Sequence, residues 1–468
     1  MPGFLFDVRC DCKSVNLRCA QIILVFSIFS TQASATALPP ATSKATLIAA
    51  SNVKTTVSSI DSKSYSSKFR PLCREHKLIE ICQIATRKTP SVDISCSIDF
   101  ARQDCKSVGF TENIITKKLL FRGSSASNIS ADFGGAIIQT TSDSTSEVSL
   151  DTSQSKRSVD VPTVALNASH TDLIEVHSKR SPSGQWLVPA NITIRNATIY
   201  GSIRIFGMGR NSENDEIRKS SAQVNHVRRL RDAAPYDVHL ENLSIIGQGR
   251  NLVYFGPGVQ RSSLKHSSLD GFSRRVGVYL DAETSEIHID NNHIDVDTVD
   301  GSWWGFYDRG WPQIAIDGSS HNKITHNTFK QLDNGGVYLY RNCGEGGTIR
   351  YGTPSHNTIS NNLFELPQSS FYQIPSPAVY LGSRNYGTLE NIVPGSHCNE
   401  DQQHGLRAGS ALSNADFASH NKVMFNKFVL SPAADLKQRQ AQREAIIQVG
   451  NTRADKNNEV RGNQWFWH

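Results

Sequence analysis

The sequence predicts an all-β solenoid, a chain wound into stacked coils of short parallel strands. Three observations carry this reading. A strand-sized apolar triplet recurs six times in the C-terminal half, a bend built on a polar residue follows each copy, and no helical periodicity intervenes. The triplets are Val253-Tyr254-Phe255, Val278-Tyr279-Leu280, Ile314-Ala315-Ile316, Val337-Tyr338-Leu339, Val379-Tyr380-Leu381 and Ile447-Gln448-Val449. Their starts are 25, 36, 23, 42 and 68 residues apart. The two shortest spacings give the bare coil, and the longer ones carry loop insertions. Strands of three or four residues repeating at that period specify a parallel β-helix, in which successive coils pair about 4.8 Å apart.

The bends read Ser267-Ser268-Leu269, Asn292-His293-Ile294, Asn327-Thr328-Phe329, Asn362-Leu363-Phe364, Asn426-Lys427-Phe428 and Asn463-Gln464-Trp465. Asn suits such a corner, because stacked amides hydrogen-bond along the axis and Asn tolerates left-handed backbone. These Asn residues are therefore structural. Upstream, Ile192-Thr193-Ile194-Arg195-Asn196 and Val238-His239-Leu240-Glu241-Asn242 read as further coils. The stretches 96–100 and 114–121 read as the first turns.

Composition agrees. Of 468 residues 38% are hydrophobic and 20% charged, so the chain builds a core and is neither disordered throughout nor a coiled coil. The net charge of +6 comes without a dense basic stripe interleaved with aromatics, which excludes nucleic acid as the expected partner and suits an acidic one.

Residues 1–37 have the order of a secretory signal: Arg9, Lys13 and Arg18, then a short apolar run from Ala20 to Phe29, then small residues. The run is too short for a comfortable membrane span, so no stable span is expected after its removal. Residues 38–70 read as a flexible Ser/Thr-rich lead-in. Residues 71–110 read as a Cys-containing N-terminal cap with the first coil, and 111–468 as the β-helix. Six cysteines follow the signal, an even number that fits an oxidising, extracellular or periplasmic location. Spacing favours pairs within Cys73, Cys82, Cys96 and Cys105, and a further Cys343 with Cys398 pair.

The coil repeats, such as His321-Asn322-Lys323-Ile324-Thr325-His326-Asn327-Thr328-Phe329 and the matching stretch 356–364, resemble the pectin-lyase-like superfamily, including its periplasmic carbohydrate-binding and sugar-hydrolase repeat type. That resemblance implies a single-stranded right-handed parallel β-helix over roughly residues 95–468. It is specific for architecture and leaves the chemistry open.

Strand alternation turns Tyr254, Tyr279, Tyr338 and Tyr380 into one outward row and places Asp281, Asp317 and Tyr340 in the next, with Glu283, Arg341 and Arg384 just beyond. Aromatic faces beside charges suit a groove for sugar rings, with Glu345 in a Gly-rich turn as a further acid and the Trp303-Trp304 insertion either walling the groove or packing on the solenoid flank. An external aromatic stack that only stabilises the sheet is the plainer alternative. Two readings of Asp281 and Asp317 stand: neighbours that share a proton or bind Ca2+, or ordinary turn aspartates. The expected function is a secreted lyase or epimerase acting on an anionic, uronate-containing polysaccharide. In it Arg341 or Arg384 clamps the carboxylate, Asp281 and Asp317 act as acids or cation ligands, and Tyr340 or Tyr338 shuttles the proton. The alternatives are a non-catalytic glycan-binding or adhesion β-helix, and a glycoside hydrolase using the paired Asp.

Overall fold

Outward and inward residues alternate along every repeat triplet, and the computed structural model shows where each side goes. It describes residues 69–140, 172–298, 311–330, 332–342, 348–366, 376–382, 418–430, 447–449 and 457–467, all within one unit, Ser62–His468. The signal-like segment, nearly all of the lead-in, Trp303, Trp304, Cys343, Glu345, Arg384 and Cys398 lie outside the described residues.

The fold is a right-handed parallel β-helix. One face is a ten-stranded parallel sheet: Ser91–Asp93, Lys118–Arg122, Asp172–His177, Ser202–Phe206, Val253–Phe255, Val278–Leu280, Ile314–Asp317, Val337–Tyr340, Val379–Leu381 and Ile447–Val449. All six triplets pair in the register the repeat requires, Val253 with Val278, Ile314, Val337, Val379 and Ile447 in turn. The upstream coils join in the same way, with Val238 opposite Ile192 and Leu240 opposite Ile194.

Inside, each coil contributes the same positions to continuous apolar stacks. The clearest is aromatic: Phe329 lies on Phe364 at 4.6 Å, Phe364 on Phe428 at 5.0 Å and Phe428 on Trp465 at 6.0 Å, with the first two pairs within 11° of parallel. Two polar ladders bound this core. Asn292, Asn327, Asn362, Asn426 and Asn463 form the expected one, each amide donating from Nδ2 to the next Oδ1 at 2.9–3.1 Å. A second runs through Asn322, Asn357, Asn421 and Asn458 at the preceding corner. Each Oδ1 also accepts a backbone N–H of the coil below, so the ladders satisfy peptide groups that the corners would otherwise bury unpaired.

The left-handed residue at each corner is not the ladder Asn but the one before it: Asn291, His326, Asn361, Phe425 and Gly462, with φ of 54–66°. The second ladder repeats this with His321, His356, His420 and Asn457. The reason is geometric. Reversing the chain tightly at the preceding position is what turns the amide inward, so the ladder residue itself need not leave ordinary backbone.

At the N-terminal end, helix α1 (Glu75–Cys82) buries Leu78, Ile81 and Cys82 against the first coils. Disulfides Cys73–Cys96 and Cys82–Cys105 tie it down, as the spacing within that cluster predicts. Helical segments do interrupt the strand pattern, and they do so in an insertion. Residues 207–235 carry α2 (Asp215–Ser221) and α3 (His226–Ala233), with a small core of Met208, Ile217, Leu230 and Ala233 backed by Trp186. This polar, basic stretch is thus packed against the coils. Its inward side is apolar at helical spacing while its Arg residues stay outside.

Candidate functional site

The outward row exists as an unbroken register across eight strands: Leu120, Glu175, Arg204, Tyr254, Tyr279, Ala315, Tyr338 and Tyr380. Tyr254 stacks on Tyr279 at 5.7 Å, and Tyr338 meets Tyr380 edge-on at 5.4 Å. Tyr279 and Tyr338 also pack with Trp311 around Val276, Ala315 and the buried Tyr340.

The middle of this row is not open to solvent. Asp281, Asp317, Glu283, Tyr254, Tyr340 and Arg341, all expected on an exposed groove, are buried. The cause is a pair of insertions that close over them. Arg350, from the insertion after Tyr340, places Nη1 3.1 Å from Asp281 Oδ1 and 3.7 Å from Asp317 Oδ2, and all three side chains are at most 2% exposed. Its Nη2 donates to Ser212 Oγ of the first insertion at 2.7 Å, and Ser212 N donates to Asp281 Oδ2. Thr348 Oγ1 donates to Ser212 O, Ile349 N to Ser221 Oγ and Tyr351 OH to Ser221 O. The two insertions therefore lock to each other as well as to the sheet. At Gly352 the backbone comes so close that a Cβ would lie 2.3 Å from Gly318 O and 2.7 Å from Glu283 Oε2, which leaves room only for glycine. Glu283 Oε1 in turn accepts from Tyr351 N and Gly352 N.

Protons in this centre are held where they sit. Tyr254 OH donates to Asp281 Oδ2, and Tyr279 OH donates to Asp317 Oδ2 at 2.6 Å. Burial, and then the adjoining carboxylates, push both phenols well above their ordinary range, so each stays a donor and neither is a phenolate base. Burial raises the Asp317 carboxyl, with Arg350 opposing. Asn342 fills the remaining positions, donating from N to Asp317 Oδ1 and from Nδ2 to Oδ2. Asp281 and Asp317 are neighbours, but Arg350 does there what a calcium ion would do. Among the described residues no group of three or more His, Cys, Asp or Glu is placed to hold a metal, and this donor set, already engaged by arginine and phenols, does not suit calcium.

Charge that does reach solvent lies one step along the same face, on the coils that precede the six repeat triplets. Asp172 and Glu175 are nearly sealed, with side chains 2% and 5% exposed. Four cations surround them. Lys118 Nζ is 2.7 Å from Glu175 Oε1, and Arg204 Nε is 3.2 Å from Asp172 Oδ2. Arg210 bridges both carboxylates, and Arg250 Nη1 is 3.6 Å from Asp172. Arg210 and Arg250 keep 46% and 40% of their side chains exposed. Arg204 also lies over the Tyr254 ring, 4.2 Å from its centroid, which joins this patch to the tyrosine row. His177 stacks flat on Phe206 at 4.8 Å, with Nδ1 3.1 Å from Ser178 O and Nε2 4.0 Å from Glu175 Oε2. Burial lowers its pKa, so the ring is neutral at neutral pH. The signal for this site was available: Glu175, His177 and Arg204 alternate with Ile174, Val176, Ile203 and Ile205, as outward charges alternate with inward apolar residues in any half-buried strand.

No family model matches the chain, and no curated protein does. Among solved structures the chain is similar to ORF18 of Geobacillus virus E2 (9% identity, TM-score 0.29, 76% of this chain and 50% of that one). It is also similar to the tailspike of E. coli bacteriophage HK620 (10%, 0.33, 68% and 46%) and to an alginate lyase from Paenibacillus sp. (11%, 0.29, 80% and 95%). The chain spans about half the length of the first two. Identities and scores this low attach no activity to it.

Proposed function

We propose that this chain is a secreted carbohydrate-active β-helix protein that takes an anionic, uronate-bearing polysaccharide along the outer face of its ten-stranded sheet. The observation that carries the reading is the excess of cations at the accessible patch: Lys118, Arg204, Arg210 and Arg250 face only Asp172 and Glu175, and the two most exposed members are arginines. Arginine forks suit sugar carboxylates, and farther along the same row the half-buried Tyr338 and Tyr380 offer ring surface to sugar C–H groups. Two disulfides support an oxidising compartment. Among the described residues no helix is long and apolar enough to cross a membrane.

The finer reading is a lyase or epimerase. With Nδ1–H donated to Ser178 O, the lone pair of His177 lies on Nε2, the atom that takes the proton from C5 of a uronate. The electron pair left at C5 delocalises into the sugar carboxylate, which Arg210 and Lys118 neutralise. A lyase then breaks the C4–O bond to give an unsaturated uronate, the departing glycosyl oxygen taking the proton back from the His177 imidazolium, whereas an epimerase takes a proton at C5 from water on the opposite face while the imidazolium loses its own to solvent. The buried Asp281 and Asp317, sharing one guanidinium, do not support a hydrolase built on that pair, which needs a water or a sugar carbon between its carboxyls.

A second reading, glycan binding without turnover, is favoured by that same sealed centre, since the row's middle offers a ligand no acid or base. The test is to incubate the secreted protein with a panel of polyuronates, following unsaturated-product absorbance, epimer composition by NMR, and retention on the immobilised polymers. Product formation that is lost in His177→Ala, with KM raised in Arg210→Gln, supports the finer reading. Retention without product supports the second, and failure to retain any polyuronate overturns both.

A further inference from the structure

A cavity of about 580 Å³ opens beside α3, away from the residues assigned above, and Asn225, His226, Arg228, Arg231, Gln260 and Tyr351 line it together with Val227 and Asp232. Its volume is that of a small-ligand pocket. We propose that it is a second binding site, for a single acidic sugar unit.

Three observations point to that ligand. Arg231, in the cavity wall, has its Nε enclosed with no hydrogen-bond partner, and an enclosed donor is costly until something accepts from it. Arg228 is 81% exposed, and its contact with the well-exposed Asp232 is a loose 3.7 Å, so its guanidinium is open to a ligand even though the buried Glu283 partly offsets the charge of Arg231. Finally, the first turn of α3 contributes its positive end. Asn225 holds the N-cap in left-handed backbone, its side chain caps nothing, and no acidic residue stands in that turn.

The walls then select a sugar over a bare anion. The half-buried Tyr351 ring presents an apolar face to one side of a pyranose, backed by the buried His226 ring 5.5 Å away and tilted by 41°. Asn225 and Gln260 line the cavity as well, and their side-chain amides suit sugar hydroxyls. His226 is pinned by Ser220 Oγ at 3.1 Å, and Tyr351 OH by Ser221 O at 2.7 Å, so both rings are set before a ligand arrives. This site shares the acidic-sugar chemistry of the proposed function but none of its residues, and either can fail without the other.

The test titrates the full secreted chain with D-glucuronate by calorimetry and by saturation-transfer NMR, using glucose and inorganic sulfate as controls. A Lys118→Gln/Arg210→Gln double variant, which removes both cations assigned to the sugar carboxylate on the sheet, then reports the cavity. Saturable glucuronate binding in that background, weakened at least about tenfold by Arg231→Gln and by the exposed, fold-neutral Arg228→Gln, with glucose silent, is the expected result. Loss of all glucuronate binding in the double variant, or indifference to both cavity variants, overturns the proposal. Sulfate binding as tightly as glucuronate overturns the assignment of a sugar.

Discussion

Arg350 stands 3.1 Å from Asp281 across 69 residues of sequence, and that one contact decides what the central carboxylates can do. Without the guanidinium they would be two like charges on adjacent coils beneath protein. With it, and with Tyr254, Tyr279 and Asn342 as donors, they form a satisfied anchor for two insertions. Removing Arg350 alone should therefore be severe. Arg350→Met is expected to cost about 3–5 kcal/mol, because it leaves buried carboxylates unpaired. Asp317→Asn introduced beside it should recover part of that loss, since one of the stranded charges is gone. Urea denaturation of the single and double variants measures the coupling, and strictly additive effects would show that Arg350 does not hold the pair together.

The pH profile should carry the mark of His226. Its pKa in the folded chain is held down to about 4, below the ordinary imidazole value, so the unfolded chain binds its proton more readily. The sign follows: the contribution is complete above the ordinary value near 6.5 and is lost as pH falls from there through about 4. Stability measured by denaturant midpoint should drop over that interval in the wild type and drop less in His226→Gln. An identical slope in both would remove His226 from the account.

The corner residues separate two roles that adjoin in sequence. Asn362 Oδ1 accepts from Asn327 N and Nδ2, and Asn362 Nδ2 donates to Ile324 O and Asn426 Oδ1. Asn362→Ala strands several of these groups in a buried place, each worth about 1–3 kcal/mol, and should be strongly destabilising. Asn361, one residue earlier, is exposed with φ 57°, so Asn361→Gly should be nearly neutral. Asn361→Val forces a β-branched residue into left-handed backbone and should cost upwards of about 1 kcal/mol. Thermal denaturation of the three variants tests the order. A mild Asn362→Ala beside a severe Asn361→Gly would reverse it.

How much of this is legible in the sequence follows from the range of each interaction. Val278 and Leu280 point inward because alternation is local, and their register with Ile314 and Ile316 follows once the repeat is seen. The Asn ladder was legible for the same reason. Which of two adjacent residues takes the left-handed turn was not, because Asn291 and Asn292 offer the same chemistry and only the direction of the bend tells them apart. Nor was Arg350, whose partners depend on how two insertions fold back over the sheet and follow no period. The patch around Asp172 and Glu175 could have been found, since its strands alternate as cleanly as the repeats. It lies upstream of the self-similar coils and its spacing to them is irregular.

The N-terminal end gives the last expectation. Cys73–Cys96 and Cys82–Cys105 each span 23 residues, and the spans overlap, so one bond closes a loop that contains an end of the other. In the chain-entropy account, closing a loop of that length is worth about 3 kcal/mol, and α1 has only Leu78, Ile81 and Cys82 buried to hold it without that help. Replacing Cys82 and Cys105 with Ser should therefore loosen α1 and the strand Ser91–Asp93 first, while the Phe329–Phe364–Phe428 stack stays protected, because a solenoid transmits stability only between neighbouring coils. Hydrogen exchange read peptide by peptide distinguishes this from global unfolding. Faster exchange confined to residues 69–122 is the expected pattern, and equal acceleration at 323–365 would mean that the end cap holds the whole solenoid.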